Sequence, residues 1–108
     1  MAKLEKTLTG DFNQILRKIE DGILRGSASA SLEDSSDFYT SNARCSVRVF
    51  ERYSMMGGNR VSMSVTLFQD YEGPIHLSAI TAGGSQAVLF KVNTLGEESF
   101  LDTLRDII

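Results

Sequence analysis

The sequence predicts a two-layer α+β domain in which two helices lie on one face of an antiparallel β-meander of about five to six strands. Residues 43–55 and 60–70 alternate apolar and polar side chains with a period of two, which is typical of β-strands. The glycine-rich residues 56–59 predict a hairpin turn between them. Two amphipathic helical patterns, one near each end of the chain, each need an apolar surface to cover, and one face of the hairpin offers it.

The composition indicates one ordinary globular domain, predicted to span residues 1–108. An apolar content of 42% and a charged content of 23% are usual for such a protein. The net charge of −3 argues against nucleic acid as a partner, since binding to phosphates needs clustered Lys and Arg. A single cysteine, Cys45, excludes an intrachain disulfide and a zinc site built from cysteines.

The chain shows no pattern of an exported or membrane-bound protein. Lys3, Glu5 and Lys6 interrupt the opening residues, so these do not form the apolar stretch of a signal peptide. No run approaches the roughly 20 apolar residues of a membrane span. We therefore expect a cytoplasmic protein that has no contact with a membrane.

A strand and a helix are predicted at the start of the chain. Residues 3–8 predict a short strand, and Thr9 or Asp11 supplies the N-cap oxygen of the helix that follows. The apolar residues of this helix recur at helical spacing, and they are Phe12, Ile15, Leu16, Ile19 and Ile23. The helix ends at Gly22 or at Gly26. We favour Gly26, although a glycine inside a helix costs about 1 kcal/mol relative to alanine.

The later elements follow from alternation and from turn residues. Strands are predicted over 27–33, 75–82 and 87–92, with a polar connection over 34–42. The sequence leaves open how the strands over 3–8 and 27–33 join the sheet. Thr94 and Glu97 match a capping box and mark the start of a closing helix. The apolar stripe of that helix consists of Phe100, Leu101, Leu104, Ile107 and Ile108.

The hairpin divides its side chains between two faces. We expect its odd-numbered apolar residues to face the helices, and these include Cys45, Val47, Val49, Val65 and Leu67. The opposite surface, which we call the Arg/Ser face, carries groups that suit a small anionic or polar ligand, namely Arg44, Arg48, Ser62, Ser64 and His76. The simplest alternative is a plain solvated face, which is usual for antiparallel sheets.

Large apolar residues on the Arg/Ser face favour a third interpretation, an interface between copies of the chain. The candidate interface residues are Phe50, Phe68, Ile80, Met55 and Met56. A β-bulge beside Glu51 would instead turn Phe50 inward. Met55 has an alternative place as well, at the end of the core.

His76 is the only histidine and therefore the only candidate for histidine-based catalysis. A hydrolase or transferase would need it beside a serine nucleophile, with a third group orienting the ring. Ser62 or Ser64 could take that place, but no nucleophile elbow marks either serine. One histidine is also insufficient for a metal site. We therefore assign no catalytic residue, no metal ligand and no cofactor.

Four stretches of the chain resemble a known family. Residues 31–38, 48–53, 73–80 and 83–86 are similar to a family of short, uncharacterised bacterial proteins, and the resemblance spans nearly the whole chain. It implies a stand-alone bacterial single-domain protein. It supplies no catalytic or binding residues, because the family has no established activity.

The leading prediction is thus a small cytosolic, non-enzymatic interaction module that forms a homodimer through its sheet or the edge of the sheet. One alternative is a binder of a small anionic or polar ligand at the Arg/Ser face. Another alternative is a hydrolase or transferase centred on His76.

Overall fold

The computed structural model describes residues 1–54, 59–83 and 90–108. They form, in chain order, Ala2–Leu8 (β1), Phe12–Gly26 (α1), Ser31–Tyr39 (β2), Ala43–Ser54 (β3), Asn59–Asp70 (β4), Ile75–Gly83 (β5) and Phe90–Ile107 (α2). The predicted α+β class is confirmed, with one helix near each end of the chain.

The described strands form one antiparallel sheet in the order β1-β5-β4-β3-β2. The strands β2 to β5 are consecutive neighbours, as predicted for a meander. β1 joins on the far side of β5, where Leu4 pairs with Ala79. This pairing places the first strand, whose position the sequence left open.

At each end of the helix α1, the structure agrees with one of the two alternatives that the sequence left open. Its N-cap is Asp11, whose Oδ2 accepts a hydrogen bond from the backbone N–H of Gln14 at 2.9 Å. The helix continues to Gly26, the longer of the two predicted forms. Gly22 inside it permits close approach of α2, because a Cβ at this position would lie 2.5 Å from Cδ1 of Ile107.

One apolar core lies between the sheet and both helices. The odd-numbered apolar residues of β4 are fully buried in it: Val61, Met63, Val65 and Leu67. The odd-numbered residues of β5 and the helical stripes complete it: Ile75, Leu77, Ala79, Phe12, Leu16, Ile19, Ile23, Phe100, Leu101 and Leu104. The two helices thus cover the same face of the sheet. Within the described ranges, neither is long and apolar enough to cross a membrane.

The strand predicted over residues 27–33 begins only at Ser31, so the prediction is wrong for residues 27–30. Ser27 ends α1, and the backbone N–H of Ala30 donates to its carbonyl, so these four residues form a turn. The strand lies further along, at Ser31–Tyr39, mostly in residues predicted to be a polar connection. β2 is an edge strand, so its polar side chains remain solvated while its backbone pairs with β3.

The last predicted strand, over residues 87–92, is also wrong where the structure describes it. α2 begins at Phe90, so residues 90–92 are helical, and residues 87–89 lie outside the described ranges. A short apolar run is compatible with a strand or with a buried helical segment, and periodicity alone does not separate them.

Glu97 has a different role from the one predicted. Because α2 begins before Thr94, the capping box of Thr94 with Glu97 does not mark the helix start. Glu97 is 5% exposed, and its Oε2 accepts a hydrogen bond from the backbone N–H of Gly83 at 2.7 Å. This buried carboxylate therefore joins α2 to the end of β5.

Candidate functional site

The two strands of the long hairpin turn differently numbered residues toward the helices: β3 its even-numbered ones and β4 its odd-numbered ones. Arg48 of β3 pairs with Val65 of β4, and paired residues project from the same face of a sheet. Since Val65 is buried against the helices, Arg48 lies there too, with 8% exposure. The predicted register is therefore wrong for β3: Arg44 and Arg48 face the helices, and the odd-numbered apolar residues face outward.

The length of the hairpin connection explains this arrangement. Ser54 pairs with Asn59, so four residues separate the paired positions. An even number of intervening residues always pairs an even-numbered position with an odd-numbered one. When the odd-numbered residues of β4 face the core, the even-numbered residues of β3 must do the same.

Arg48 is the centre of a polar cluster between α1, β2 and β3. Its Nε donates to Oε2 of Glu20 at 2.8 Å, and its Nη1 donates to Oδ1 of Asp37 at 3.0 Å. Nη1 also donates to the backbone carbonyls of Ser36 and Val47. Burial acts to lower the pKa of Arg48, but the hydrogen bonds and charges of the two carboxylates outweigh it and raise that pKa. The guanidinium is thus charged and bound within the chain.

Asp37 remains ionised because of the same cluster. The hydroxyl of Ser46 donates to its Oδ1 at 2.6 Å, and Arg48 donates to the same carboxylate. The bond from Ser46, together with the hydrogen bond and charge of Arg48, lowers the pKa of Asp37 despite partial burial. Arg48 of β3 therefore forms one ion pair with Asp37 of the neighbouring strand β2 and a second with Glu20 of α1.

The other two helix-facing arginines of β3 stack on aromatic rings. The guanidinium carbon of Arg44 lies 4.2 Å from the ring centroid of Phe12, and that of Arg52 lies 4.6 Å from the ring centroid of Phe100. Burial lowers the pKa of Arg52. Each arginine therefore covers an aromatic ring at the border of the core.

The Arg/Ser face predicted from the sequence is consequently not one surface. Arg44 and Arg48 lie on the helix-covered side, whereas Ser62, Ser64 and His76 project from the opposite side. A ligand resting on the outward hydroxyl groups would not contact either guanidinium group.

The opposite side of the sheet, which no described helix covers, is named here the open face. Its residues on the three central strands include Cys45, Val47, Val49, Ser62, Ser64, Thr66, Phe68, His76, Ser78 and Ile80, with Glu51 and Arg60 nearer one end. Phe68 and Ile80, both predicted interface residues, are each 41% exposed on it. Cys45, which was expected to be buried under the helices, lies on the open face and is partly exposed.

Phe50 does not belong to the open face. It pairs with Met63 and is fully buried in the core. The regular pairing of β3 with β4 turns it inward, without a bulge at that pair of strands. The other two predicted interface residues, Met55 and Met56, lie outside the described residues.

His76 stands beside an aromatic residue rather than beside a serine. Its ring lies 6.4 Å from that of Phe68, with an angle of 27° between the ring planes. Its cross-strand partners are Phe68 and Thr7, and Ser62 and Ser64 pair further along β5. In the described strands, neither Ser62 nor Ser64 is therefore paired with His76.

Among all the residues that the structure describes, no group of three His, Cys, Asp or Glu is placed to hold a metal ion.

A cleft of about 610 Å³ lies at one end of the sheet, where the β2–β3 turn meets the β4–β5 turn. Its lining includes Tyr39, Arg44, Tyr71 and Glu72. Sequence reasoning missed it, because the two turns come together only through the pairing of β3 with β4.

Comparisons with known proteins agree with the resemblance found in the sequence. A model of a family of unknown function (DUF6054) matches residues 1–108. Comparison with curated proteins and with solved structures gave no match. The predicted resemblance to an uncharacterised family is thus confirmed.

Proposed function

The chain belongs to this family of unknown function, and we propose from its surfaces that it is an interaction module that self-associates through the open face. The composition of that face is the observation that carries the proposal. The apolar side chains of Cys45, Val47 and Val49 lie on it, next to Phe68 and Ile80. The free face of an antiparallel sheet is usually polar, whereas apolar residues exposed together mark contact surfaces.

Three rows of paired residues cross the open face from edge to edge. The rows are Phe38, Cys45, Phe68, His76 and Thr7; Ser36, Val47, Thr66, Ser78 and Glu5; and Asp34, Val49, Ser64, Ile80 and Lys3. With strands about 4.8 Å apart, these rows cover on the order of 500 Å² on each copy. Two such faces together reach the roughly 1,000 Å² expected of a specific interface.

Charges at the edges of the sheet favour one arrangement of two copies. Lys3 and Asp34 stand at opposite ends of the same row. A two-fold axis parallel to the strands, lying above β4 in the plane between the two open faces, would bring Lys3 of one copy to Asp34 of the other. The same axis brings Ile80 to Val49 and brings Phe68 to its own equivalent. The contact would then combine apolar side chains and hydroxyl groups near its centre with complementary charges at its rim, and a polar, charged rim is usual for protein interfaces.

Sedimentation equilibrium over a wide concentration range tests the proposal. The mass should approach twice the 11.9 kDa of one chain as concentration rises. Phe68→Glu should leave a monomer, because two carboxylates would meet on the axis. Leu24→Glu is the matched control, since Leu24 is a 39% exposed residue of α1 that does not lie on the open face. A monomer at every concentration, or a dimer that survives Phe68→Glu, would contradict the proposal.

Cross-linking tests the direction of the axis. In a Cys45→Ser background, Thr66→Cys places a thiol on the axis, so a short bismaleimide should join two equivalent copies. Ile80→Cys should react poorly with its own equivalent and efficiently with Val49→Cys in a mixed sample. Efficient cross-linking of Ile80→Cys to itself would mean that the copies meet in another orientation.

A further inference from the structure

We propose that the cleft at the end of the sheet binds a small aromatic monocarboxylate, with Arg44 as the residue that binds the anion. The volume of about 610 Å³ lies in the range of roughly 300–1,000 Å³ that is usual for small-molecule sites. The lining residues that argue for this ligand are Tyr39, Arg44, Tyr71 and Glu72. The site does not use the open face, so the inference is independent of self-association.

Arg44 has hydrogen-bonding capacity that the described residues do not fill. Its Nη2 donates to Oδ1 of Asn13 at 2.6 Å, but no carboxylate of the described residues lies within 4.0 Å of the guanidinium. Its Nε is buried and has no hydrogen-bond partner in the described part of the chain. Arg48, on the same face of the same strand, bonds two carboxylates. An anionic ligand would give Arg44 the type of partner that Arg48 already has.

One of the rings beside Arg44 is exposed enough to move. The guanidinium carbon lies 4.2 Å from the ring centroid of Phe12 and 5.4 Å from that of Tyr39. Phe12 is buried in the core, whereas Tyr39 is 65% exposed. Rotation of the Tyr39 side chain would open the guanidinium to a ligand oxygen and leave the tyrosine ring beside the ligand.

Tyr71 is the second aromatic residue that lines the cleft, and its backbone has an unfavourable conformation. Its φ is 56°, in the left-handed region that suits glycine or asparagine better than tyrosine. Its backbone N–H donates to the carbonyl of Asn42, which connects the two turns. The ring is 68% exposed, so packing in the core does not account for it. Residues held in such conformations concentrate at binding sites.

The charges and rings of the cleft define the chemistry of the ligand. Arg44 favours a carboxylate, and Glu72 disfavours a second negative charge. The two tyrosine rings favour an aromatic ring over an aliphatic chain. Benzoate is therefore the probe. Benzylamine keeps the ring but reverses the charge, and acetate keeps the carboxylate but lacks the ring.

Tyrosine fluorescence and amide chemical shifts of the full chain measure the binding. The chain has three tyrosines and two of them line the cleft, so Tyr53→Phe isolates their signal. Benzoate should produce saturable changes centred on residues 39–44 and 71–72, with an affinity about tenfold above that of acetate or benzylamine. Arg44→Gln should weaken benzoate binding about tenfold. Arg60→Gln, at an arginine paired with Glu51, should leave it unchanged.

Tyr71→Gly separates loss of binding from loss of folding. Glycine adopts the left-handed conformation readily, so the thermal midpoint should be retained. Benzoate affinity should nevertheless fall about fivefold, because one aromatic wall is gone. Shifts that do not saturate, or equal benzoate affinity in the original chain and in Arg44→Gln, would overturn the proposal.

Discussion

Nε of Arg48 and Oε2 of Glu20 lie 2.8 Å apart, and this ion pair joins β3 to α1 across the helix-covered face of the sheet. The same guanidinium donates to Asp37 on β2, so one arginine connects a helix with two strands. Removing Arg48 would take a hydrogen-bond donor from both carboxylates, and Asp37 would keep only the hydroxyl of Ser46. The cluster therefore stabilises the fold only while it is complete.

Arg48→Ala should lower the free energy of unfolding by about 2 kcal/mol, because Glu20 and Asp37 lose their shared donor. The carboxylate side chains are 25% and 34% exposed, so water replaces part of that loss. Arg60→Ala is the control, since it removes a pair whose members are 50% and 35% exposed, and it should cost about 0.5 kcal/mol or less. Urea unfolding measures both. Equal losses would show that the cluster around Arg48 adds nothing beyond a surface pair.

The lowered pKa of Asp37 predicts a loss of stability in acid. Its usual value is 3.8, and the folded value is lower, so the unfolded chain takes up the proton first as pH falls. The contribution of Asp37 is therefore present above about pH 4 and is lost as pH falls through the folded pKa. Asp37→Asn should be less stable than the original chain at neutral pH, and the difference should shrink in acid. Asp21→Asn, at an exposed position of α1, is the control and should cost less stability than Asp37→Asn in urea unfolding at neutral pH.

Two valines test which face of each hairpin strand lies in the core. Val65 on β4 is 1% exposed, and Val49 on β3 lies on the open face. Val65→Ala should cost about 2 kcal/mol because it leaves a cavity, whereas Val49→Ala should cost under about 1 kcal/mol. Urea unfolding of dilute protein keeps self-association out of the comparison. A larger loss at Val49 would reverse the orientation of β3 described above.

The crossing of the two helices predicts an unusual response to a glycine substitution. Alanine inside a helix is ordinarily better than glycine by about 1 kcal/mol. At Gly22, however, the added Cβ would lie 2.5 Å from Cδ1 and 2.6 Å from Cγ1 of Ile107, so Gly22→Ala should destabilise the fold. Adding Ile107→Ala should remove the clash and restore part of the stability. Thermal unfolding of the two single variants and the double variant measures this coupling, and additive effects would show that the helices do not meet at this point.

Elements that depend on neighbouring residues were predictable. The N-cap at Asp11, the end of α1 at Gly26 and the strand β4 follow from side chains within a few positions of one another. The faces of the hairpin were only partly predictable. The even number of residues in the connection already required opposite halves of β3 and β4 to share a face, but the apolar pattern of each strand suggested otherwise.

The cleft and the polar cluster depend on contacts between distant residues. Arg48 meets Glu20 because β3 passes beneath α1, and Tyr71 meets Asn42 because two turns lie at the same end of the sheet. Neither contact can be predicted from the spacing of residues within a single helix, strand or turn. The same holds for the open face, where the apolar residues of β3 lie only because β3 turns its even-numbered residues inward.

By itself the sequence determined the class of fold, the first helix with its two ends and the apolar side of β4, since periodicity and capping act between near neighbours. Only the tertiary structure decided which side of β3 meets the core. Both strands contribute to the same core, and their pairing lets the apolar side of only one of them face that core. The larger Val, Met and Leu side chains of β4 bury more area than the Ala, Cys and Val side chains of β3, so β3 places its arginines beneath the helices and its apolar residues on the open face.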